Sequence, residues 1–487
     1  MTIMNSRNIL SPVLTVSLVL CSWASVLPIQ AAHDQTASFR EVIVGWQEGM
    51  TFAARDRAIN MAGGWATIHL SAVPASIVRL PTVAAEEALR LNPLVRSLVP
   101  NRPIFSAEIP PPIWEDGDRH CNDCGGGTSG QLTPVSIARI GANPGSLPYT
   151  GQNVGVAIVD TGINALHRDL TRPDGSRVVM ASPHCFLGFS GFTSCDVDYS
   201  DFQGGHGTKV AGVVAAVNNT VDIVGVAPNA TLYNVNVFKD DANACFPQRI
   251  CSDDGLIMQG LQWILSANSS LSPPIQVVNM SLGRLGTLND NPDFKTLVQQ
   301  VIQTGIVIVA AGGNDPTQEV SNTIPAGYPD VVAIASTTAV WGAQCTAICQ
   351  TSPQVPVDAA SYFTTDGRFD TISHIGVSVS APGEDSEDFC STGCPFVTDG
   401  LEVLSSAGGI TKGSGTSFSA PHVTGVLALM KEQDHSSGTP RSPQVLRDKI
   451  RSTASRLGQT PLDSLSSAYT FDGEREGILW APAALQQ

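Results

Sequence analysis

Basic residues are scarce in this chain of 487 residues. It has 27 Lys and Arg against 43 Asp and Glu, which gives a formal net charge of −16. An acidic chain repels phosphate groups, so this balance argues against nucleic acid or anionic lipid as a partner. Charged residues make up only 14% of the chain and hydrophobic residues 42%, a composition typical of a compact globular protein.

Long apolar runs are also lacking, except near the N-terminus. Residues 9–20 form an apolar run preceded by Arg7, and this run is too short to anchor a chain in a bilayer. The combination indicates a secretory signal peptide, which we place at residues 1–32. Leu20 is not the small residue expected before a lipidated cysteine, so lipidation at Cys21 is a minor alternative. We expect a secreted, extracellular protein without a membrane span, with the periplasm as the alternative location.

Ten cysteines follow the signal peptide, and they form five pairs that are close in sequence. An even number of cysteines in an exported protein indicates disulfide bonds, and local pairing is the simplest arrangement, although spacing alone leaves the connectivity open. Zinc is the alternative at His120, Cys121 and Cys124, but no second CxxC motif completes such a site. The five pairs are Cys121/Cys124, Cys185/Cys195, Cys245/Cys251, Cys345/Cys349 and Cys390/Cys394.

The first part after the signal has the pattern of a small α+β unit. A Pro-rich run and the Gly-rich run that follows it predict a linker over residues 110–134. A small unit between a signal and a large domain is typical of a pro-segment, here residues 33–109, although an ordinary N-terminal domain would look the same. Hydrophobic periodicity predicts strands at 41–46, 77–80 and 95–99 and helices at 52–62 and 84–91.

From residue 154 onward, short apolar runs alternate with stretches of helical periodicity. Runs that are rich in Val and Ile and lack polar alternation are typical of strands buried on both faces. Their alternation with helices predicts an α/β domain with an open, mostly parallel central sheet, in which ligands bind beyond the carboxyl ends of the strands. The runs are residues 154–159, 232–237, 276–278, 306–309 and 331–335.

Polar residues follow several of these runs. Asp160 comes after the first run, Ser281 after the third and Asn314 after the fourth. His206 opens a helix within Gly-His-Gly-Thr. Ser417 lies in a Gly-rich turn before a long helix, where free N–H groups favour a developing negative charge. Each signal is weak alone, since Ser417 would equally serve as a helix cap and His206 as a core residue.

Two known arrangements of such residues fit poorly. An aspartic protease would use Asp160-Thr161-Gly162, but it needs a second such aspartate, and no second DTG or DSG occurs. Residues 415–419 lack the final glycine of the GxSxG turn of α/β-hydrolases, in which the aspartate and histidine follow the serine. Here the chain order is aspartate, histidine, serine.

Together the motifs resemble those of subtilisin-like serine endopeptidases, the subtilase family. The resemblance implies a peptidase domain at residues 135–487, with helices on both faces of its sheet. It implies an N-terminal pro-segment that assists folding and inhibits the enzyme until it is cleaved, and a monomer that acts on protein or peptide substrates. The matching segments are VAIVDTGI at Asp160, HGTKVAGVVAAVNN at His206, VVNMSLG at Ser281, VIVAAGGN at Asn314 and GTSFSAPHVTG at Ser417.

The resemblance also implies acyl transfer through a covalent intermediate. Ser417 would attack the scissile carbonyl, with His206 as general base and Asp160 orienting the imidazole. The side-chain amide of Asn314 and the N–H of Ser417 would stabilise the oxyanion. A catalytically silent secreted binding protein on the same fold is the alternative.

Substrate binding is implied at Ser281-Leu282-Gly283, which would pair with a peptide as an added strand. Arg284 follows, where many relatives have glycine. Its bulk and charge would narrow the subsites or favour acidic residues, and a solvated loop arginine is the alternative. Substrate preference does not carry over from the family, because three insertions with cysteines are expected to edge the cleft, at 171–203, 239–254 and 384–399.

Calcium is the cofactor that the resemblance implies, in a structural role. Carboxylate, amide and backbone carbonyl oxygens are the ligands that this cation prefers. A simple polar loop is the alternative. The residues that match a family calcium site are Asp169, Val217, Asn219, Val221 and Ile223.

Overall fold

The computed structural model describes most of the chain after the predicted signal peptide. Residues Phe39–Gln487 form one compact unit. The predicted signal peptide and most of the predicted linker lie outside the described residues. The described residues are 39–109, 130–180, 184–185, 201, 205–241, 245, 248, 250–342, 355–388, 397–456 and 476–486.

The N-terminal unit is an antiparallel four-stranded sheet with two helices. The strands lie in the order β2-β3-β1-β4. The hydroxyl groups of Thr51 and Thr82 accept hydrogen bonds from the first turns of the two helices, which fixes where each helix begins. The elements are β1 (Arg40–Trp46), α1 (Phe52–Met61), β2 (Trp65–His69), β3 (Ala75–Leu80), α2 (Val83–Arg90) and β4 (Val95–Pro100).

The structure confirms the α+β character of this unit and adds one strand. Strand β2 was not predicted, because its residues are only partly buried and carry no clean alternation. Trp46, Ile59 and Leu89 are fully buried between the sheet and the helices, and the indole N–H of Trp46 donates to Ser76 Oγ at 2.8 Å. The unit therefore has a hydrophobic core of its own.

A second, smaller sheet joins the N-terminal unit to the rest of the chain. Strand β5 lies between β10 and β12 and is antiparallel to both, in the order β14-β12-β5-β10-β9. The sequence did not predict this arrangement, because β5 follows directly on the N-terminal unit and carries no signal of its partners. The strands are β5 (Pro103–Ser106), β9 (Lys239–Asp240), β10 (Ile250–Asp253), β12 (Leu282–Leu285) and β14 (Thr323–Ile324).

The central sheet has seven strands in the order β16-β15-β13-β11-β6-β8-β7, and every adjacent pair is parallel. The predicted parallel sheet is confirmed. Strand β16 was missed because serines at 378 and 380 and the Pro382-Gly383 pair interrupt its apolar run. The strands are β6 (Gly155–Asp160), β7 (His184–Cys185), β8 (Thr231–Asn236), β11 (Ile275–Met280), β13 (Val307–Ala311), β15 (Val332–Thr338) and β16 (Val377–Glu384).

Two hairpins follow the central sheet, one of β17 (Ser386–Asp388) with β18 (Val397–Asp399) and one of β19 (Leu401–Leu404) with β20 (Ile410–Gly413). Within the described ranges, no helix is both long and apolar enough to cross a bilayer. The helices of this part are α3 (Val135–Arg139), α4 (His206–Ala215), α5 (Asp254–Ala267), α6 (Pro292–Gln303), α7 (Thr416–Ser437), α8 (Pro443–Thr453) and α9 (Ala481–Ala484).

Helices cover both faces of the central sheet. Along β6, Val156 and Ile158 belong to the core that includes α4 and α7, whereas Ala157 and Val159 belong to the core that includes α5 and α6. Alternate residues of one strand thus enter two different cores. This explains why the sequence shows continuous apolar runs here instead of alternation.

One of the predicted cysteine pairs lies within the described residues. Cys245 and Cys251 form a disulfide, with their Cα atoms 5.3 Å apart. Each of the other four predicted pairs has at least one cysteine outside the described residues, so those pairings stay predictions.

The packing of helix α7 against the loop that precedes β8 tests the fold. A Cβ atom added at Gly425 would lie 2.5 Å from Cβ of Val226. We expect Gly425→Val to lower the free energy of unfolding by about 1–3 kcal/mol through overpacking, measured by urea unfolding. Ser436→Ala, at the exposed end of the same helix, serves as the control and changes it little. Equal stabilities for the two variants would contradict this packing.

Candidate active site

Asp160 and His206 meet at the carboxyl edge of the central sheet. Asp160 ends β6, and His206 begins α4 directly after Gly205, whose φ of 63° lets the chain turn sharply into the helix. His206 Nδ1 lies 2.7 Å from Asp160 Oδ1, and both side chains are buried. The sequence placed these two residues 46 positions apart, and the fold joins them.

The contact with Asp160 shifts the pKa of the His206 imidazole. Burial by itself lowers the pKa of His206, but the Asp160 carboxylate outweighs burial through its charge and its hydrogen bond, so the pKa is raised above its ordinary value. The Asp160 carboxylate is the hydrogen-bond partner of His206 Nδ1. His206 Nε2 has no hydrogen-bond partner among the described residues, which leaves this nitrogen free to exchange a proton with a substrate or nucleophile.

Asp201 is a residue of this site that the sequence analysis missed. It accepts a hydrogen bond from the Thr161 hydroxyl at 2.9 Å and one from the Thr208 N–H at 3.0 Å, and thus joins the loop after β6 to the first turn of α4. Burial raises the pKa of Asp201 to about 7 despite these hydrogen bonds. The residue lies within the predicted insertion 171–203, so nothing in the sequence distinguished it from a surface acid.

Ser417 is the second residue of α7 and is fully buried. Its hydroxyl donates to the carbonyl oxygen of Ser281 at 3.0 Å, and the Ser281 hydroxyl donates to the Ser417 carbonyl at 2.7 Å. The helix is capped by Gly415 without a side-chain bond, so the alternative of Ser417 as a helix cap is wrong. The ring of Phe418, the next residue, lies 5.8 Å from the His206 ring, so the first turn of α7 packs close to His206.

Two hydrogen-bond donors converge beside Ser417 on one carbonyl oxygen. Asn314 Nδ2 donates to the carbonyl of Ala107 at 2.7 Å, and the Ser417 N–H donates to the same oxygen at 3.1 Å. The other amide atom, Asn314 Oδ1, accepts from the Thr416 N–H at 2.9 Å, so the amide is oriented. Such donor pairs stabilise the oxyanion that forms when a carbonyl is attacked.

The segment around Ala107 crosses the site as an extended peptide. The Ala107 N–H donates to the Ser281 carbonyl at 3.2 Å, and β5 pairs with β12 so that Ser106 faces Leu282 and Phe105 faces Gly283. On the other side of Ala107, the Ile109 N–H donates to the Ser414 carbonyl at 2.8 Å. The predicted edge Ser281-Leu282-Gly283 therefore does pair with a strand, and that strand belongs to the chain itself.

Arg284 follows this edge and is neither solvated nor free to meet a peptide. Its guanidinium makes two hydrogen bonds to the Asp254 carboxylate, at 2.8 and 2.7 Å, and its side chain is only 6% exposed. The interpretations of Arg284 as a solvated loop residue and as a charge that selects acidic substrate residues were therefore wrong, because the sequence did not reveal its buried partner at the start of α5. Narrowing of the subsites by its bulk stays a prediction. The ion pair holds β12 to α5.

Asp169 lies against the loop that holds the other four residues predicted to bind calcium. Asp169 accepts hydrogen bonds from the Asn219 side chain at 2.8 Å and from the Ile223 N–H at 3.0 Å. The Val221 N–H donates a hydrogen bond to Asn219 Oδ1, and the role of the Val221 carbonyl as a ligand stays a prediction. Burial raises the pKa of Asp169 to about 7, and the hydrogen bonds from Asn219 and Ile223 offset only part of this shift.

Gln131 completes this loop and was missed. Its Nε2 donates to the carbonyls of Val217 at 2.5 Å and Ile223 at 2.8 Å and lies 3.3 Å from Asn219 Oδ1. Several acceptor oxygens thus point at one spot next to Asp169, a donor set that fits calcium. Within the described part of the chain, no group of three or more His, Cys, Asp and Glu side chains could hold a metal ion.

Comparison with known proteins shows which family this chain is similar to. Residues 151–468 match the subtilase family. The chain is 28% identical to subtilisin J of Geobacillus stearothermophilus over 466 residues, which covers 94% of this chain and 96% of that protein. It is 31% identical to a subtilisin of Bacillus pumilus over 335 residues, which covers 68% of this chain and 94% of the relative.

A solved structure supports the fold. Fervidolysin from Fervidobacterium pennivorans, a keratinolytic enzyme related to subtilisin, aligns with a TM-score of 0.62 at 21% sequence identity. The alignment covers 93% of this chain but only 61% of the fervidolysin chain, so this protein spans less than two thirds of that length. At this identity the likeness concerns the fold alone, and it confirms the predicted subtilisin-like architecture.

The family match spans more than half of the chain and contains the segments that carry Asp160, His206 and Ser417. It indicates an enzyme of the serine type instead of the silent binding protein that the sequence left open. The chain belongs to the subtilase family of serine-type endopeptidases.

Proposed function

We propose that this protein is a secreted serine endopeptidase made as an inactive precursor, with Asp160, His206 and Ser417 as its catalytic triad. The observation that carries the proposal is the position of the Ala107 carbonyl, which accepts hydrogen bonds from the Asn314 amide and the Ser417 N–H at once. A peptide bond held in this way is polarised and lies beside a nucleophile, as the chemistry of acyl transfer requires.

The proposed reaction begins at Ser417. Its hydroxyl leaves the Ser281 carbonyl and transfers its proton to the unpartnered Nε2 of His206 as Oγ attacks the scissile carbonyl. The Asn314 amide and the Ser417 N–H stabilise the resulting oxyanion. His206 then protonates the leaving amine, and water hydrolyses the acyl-enzyme by the reverse sequence of proton transfers.

Asp160 supports each of these proton transfers. Its Oδ1 accepts from the Thr161 N–H at 2.7 Å as well as facing His206 Nδ1, so the carboxylate is fixed in place. A fixed carboxylate at Nδ1 keeps the proton on that nitrogen and leaves Nε2 as the base. It also stabilises the imidazolium that forms during attack.

The N-terminal unit acts as an intramolecular inhibitor in this proposal. Arg96 forms an ion pair with Asp293, and Ser97 donates to the same carboxylate at 3.0 Å. Gln262 Oε1 accepts from the N–H groups of Ser71 and Ala72 at 2.5 and 3.1 Å. These contacts join the unit to α5 and α6, and β5 fills the peptide-binding edge, so no other peptide can bind there.

The first bond to be cut is then the bond between Ala107 and Glu108. The inhibitory segment would end at residue 107, two residues before the boundary that composition suggested. Ala107 presents a small side chain next to the cleaved bond, and Ile104 is fully buried in the apolar core that includes Leu256 of α5. We infer a preference for substrates with a small residue before the cleaved bond and an aliphatic residue three positions earlier.

Calcium would stabilise the folded enzyme. Asp169, Asn219 and the carbonyls of Val217 and Ile223 would hold the cation together with the Gln131 side chain, after its amide turns its oxygen inward. The cation would supply positive charge to a carboxylate whose pKa burial raises. The predicted Val221 carbonyl completes the proposed ligand set.

Export of the protein rests on two observations. The predicted signal peptide at residues 1–32 has a basic residue before an apolar run. The disulfide between Cys245 and Cys251 is stable in an oxidising compartment such as the extracellular space or the periplasm. Both observations favour secretion.

The oxyanion donors provide the test of the catalytic assignment. We expect Asn314→Ala to lower kcat by about 10²–10³-fold with the unfolding midpoint unchanged, because one of two donors is lost. A fluorophosphonate probe should still label Ser417 in this variant, though more slowly, and should not label Ser417→Ala. Normal turnover in Asn314→Ala would rule out its role, and labelling of folded Ser417→Ala would rule out Ser417 as the nucleophile.

The precursor provides a second test. Secreted wild-type protein should have Glu108 as its N-terminus, read by mass spectrometry of the intact protein, whereas Ser417→Ala should keep the N-terminal unit. Replacement of the contact residue Arg96 by Gln should leave this N-terminus unchanged and weaken inhibition by the cleaved unit. A first cut at any other bond would contradict the assignment of Ala107.

Calcium removal is the third test. EGTA should lower the melting temperature of the wild-type protein, because the binding free energy adds to stability. Asp169→Asn should melt at a lower temperature and respond less to EGTA. Asp174→Asn, in an exposed turn of the same region, should respond as the wild type does. An unchanged melting temperature in EGTA would contradict calcium binding at this loop.

A further inference from the structure

Glu108, the residue after the proposed cleavage site, pairs with a lysine on the catalytic helix. Its Oε1 lies 2.5 Å from Lys209 Nζ. The Lys209 side chain is 14% exposed and that of Glu108 19%, so the pair is largely shielded from solvent. Lys209 is the fourth residue of α4 and lies three positions after His206, which puts both side chains on the same face of the helix.

The position of Glu108 is set by the active site and not by the fold of the N-terminal unit. Its main chain is held on one side through the Ala107 carbonyl, which accepts from Asn314 and Ser417, and on the other through the Ile109 N–H, which donates to Ser414. These contacts involve only backbone atoms of the bound segment. Any peptide bound in the same register therefore presents its corresponding side chain to Lys209.

We propose that Lys209 is a specificity-determining residue that recognises an acidic side chain directly after the cleaved bond. The inference rests on the proposed function, since it assigns Ala107-Glu108 as the bond attacked. Glu108 is the acidic partner that the structure gives Lys209, and a partly desolvated ammonium gains from such a partner. A lysine or arginine at the same peptide position would be repelled.

Glu108 and Lys209 also affect the pKa of His206, the catalytic base. Glu108 raises the pKa of His206 and Lys209 lowers it, both with smaller effect than burial and Asp160. An acidic substrate residue thus offsets the charge that Lys209 places beside the imidazole. The acidic substrate residue and Lys209 therefore act in opposite directions on the pKa of the catalytic base.

The test uses the secreted, self-processed enzyme and three peptides. The first has the sequence of residues 103–110, Pro-Ile-Phe-Ser-Ala-Glu-Ile-Pro, and the others carry Glu108→Gln or Glu108→Lys. For the wild type we expect kcat/KM to be about tenfold higher for the Glu peptide than for the Gln peptide, with the Lys peptide slowest. The preference should weaken at high salt, because it depends on charge.

Two variants of Lys209 and one control complete the test. Lys209→Glu should reverse the order of the Glu and Lys peptides, and Lys209→Met should cleave the Glu and Gln peptides at similar rates. Lys295→Met, which removes the same charge from α6, should keep the wild-type order. A merely structural role of Lys209 would lower all rates together and would not reverse a preference.

The outcomes separate the subsite from the proposed function. Cleavage of all three peptides by the wild type at equal rates would overturn the role of Lys209 and leave the peptidase assignment standing. An unchanged order in folded Lys209→Glu would do the same. No cleavage of any peptide by the wild type would overturn the proposed cleavage site, and the subsite with it. The wild-type series decides the question even if a variant does not fold.

Discussion

All neighbouring strands of the central sheet run parallel, and this arrangement brings the residues of the site together. Parallel strands place all their carboxyl ends at one edge of the sheet. Asp160 ends β6, Ser281 follows β11 and Asn314 follows β13, so residues that are more than a hundred positions apart share that edge. Helices α4 and α7 begin at the same edge and bring His206 and Ser417 to it. The site is therefore a consequence of topology before it is one of side-chain chemistry.

Charges are few in this chain, and three pairs of ionisable groups lie near the site. Asp160 faces His206, Arg284 is bound by Asp254, and Lys209 meets Glu108. Removing an ion from water costs several kcal/mol unless a partner and further hydrogen bonds replace the lost hydration. Two of the three pairs lie within the peptidase part, whereas the third joins it to Glu108, the residue directly after the bond that is proposed to be cut. Cleavage of that bond makes Glu108 an N-terminus, so processing affects the third pair and leaves the other two in place.

A single stretch of chain thus has two roles in the proposed precursor. Residues 103–109 link the N-terminal unit to the remainder and at the same time lie in the site as a peptide. Because β5 is hydrogen-bonded to both β10 and β12, the stretch is held by main-chain contacts that would serve any sequence. The side chains of residues 103–109 therefore indicate which substrate residues the subsites accept. In this proposal residues 103–109 both block the site and contain the first bond that is cut.

The fold class, the order Asp160, His206, Ser417 and most of the central strands could be predicted from the amino-acid sequence. These features are local, because a buried strand shows as a continuous apolar run and a helix start shows as a Gly-rich turn. Strand β16 has no continuous apolar run and was therefore missed. No sequence pattern indicated the partners of β5, the role of Asp201 or the position of Gln131. Those features depend on contacts between distant segments, and residue spacing carries no information about which segments meet. The ion pair of Arg284 with Asp254 and the position of the Ala107 carbonyl between two donors could not be predicted, because each requires the packed sheet to bring its partner within hydrogen-bond distance.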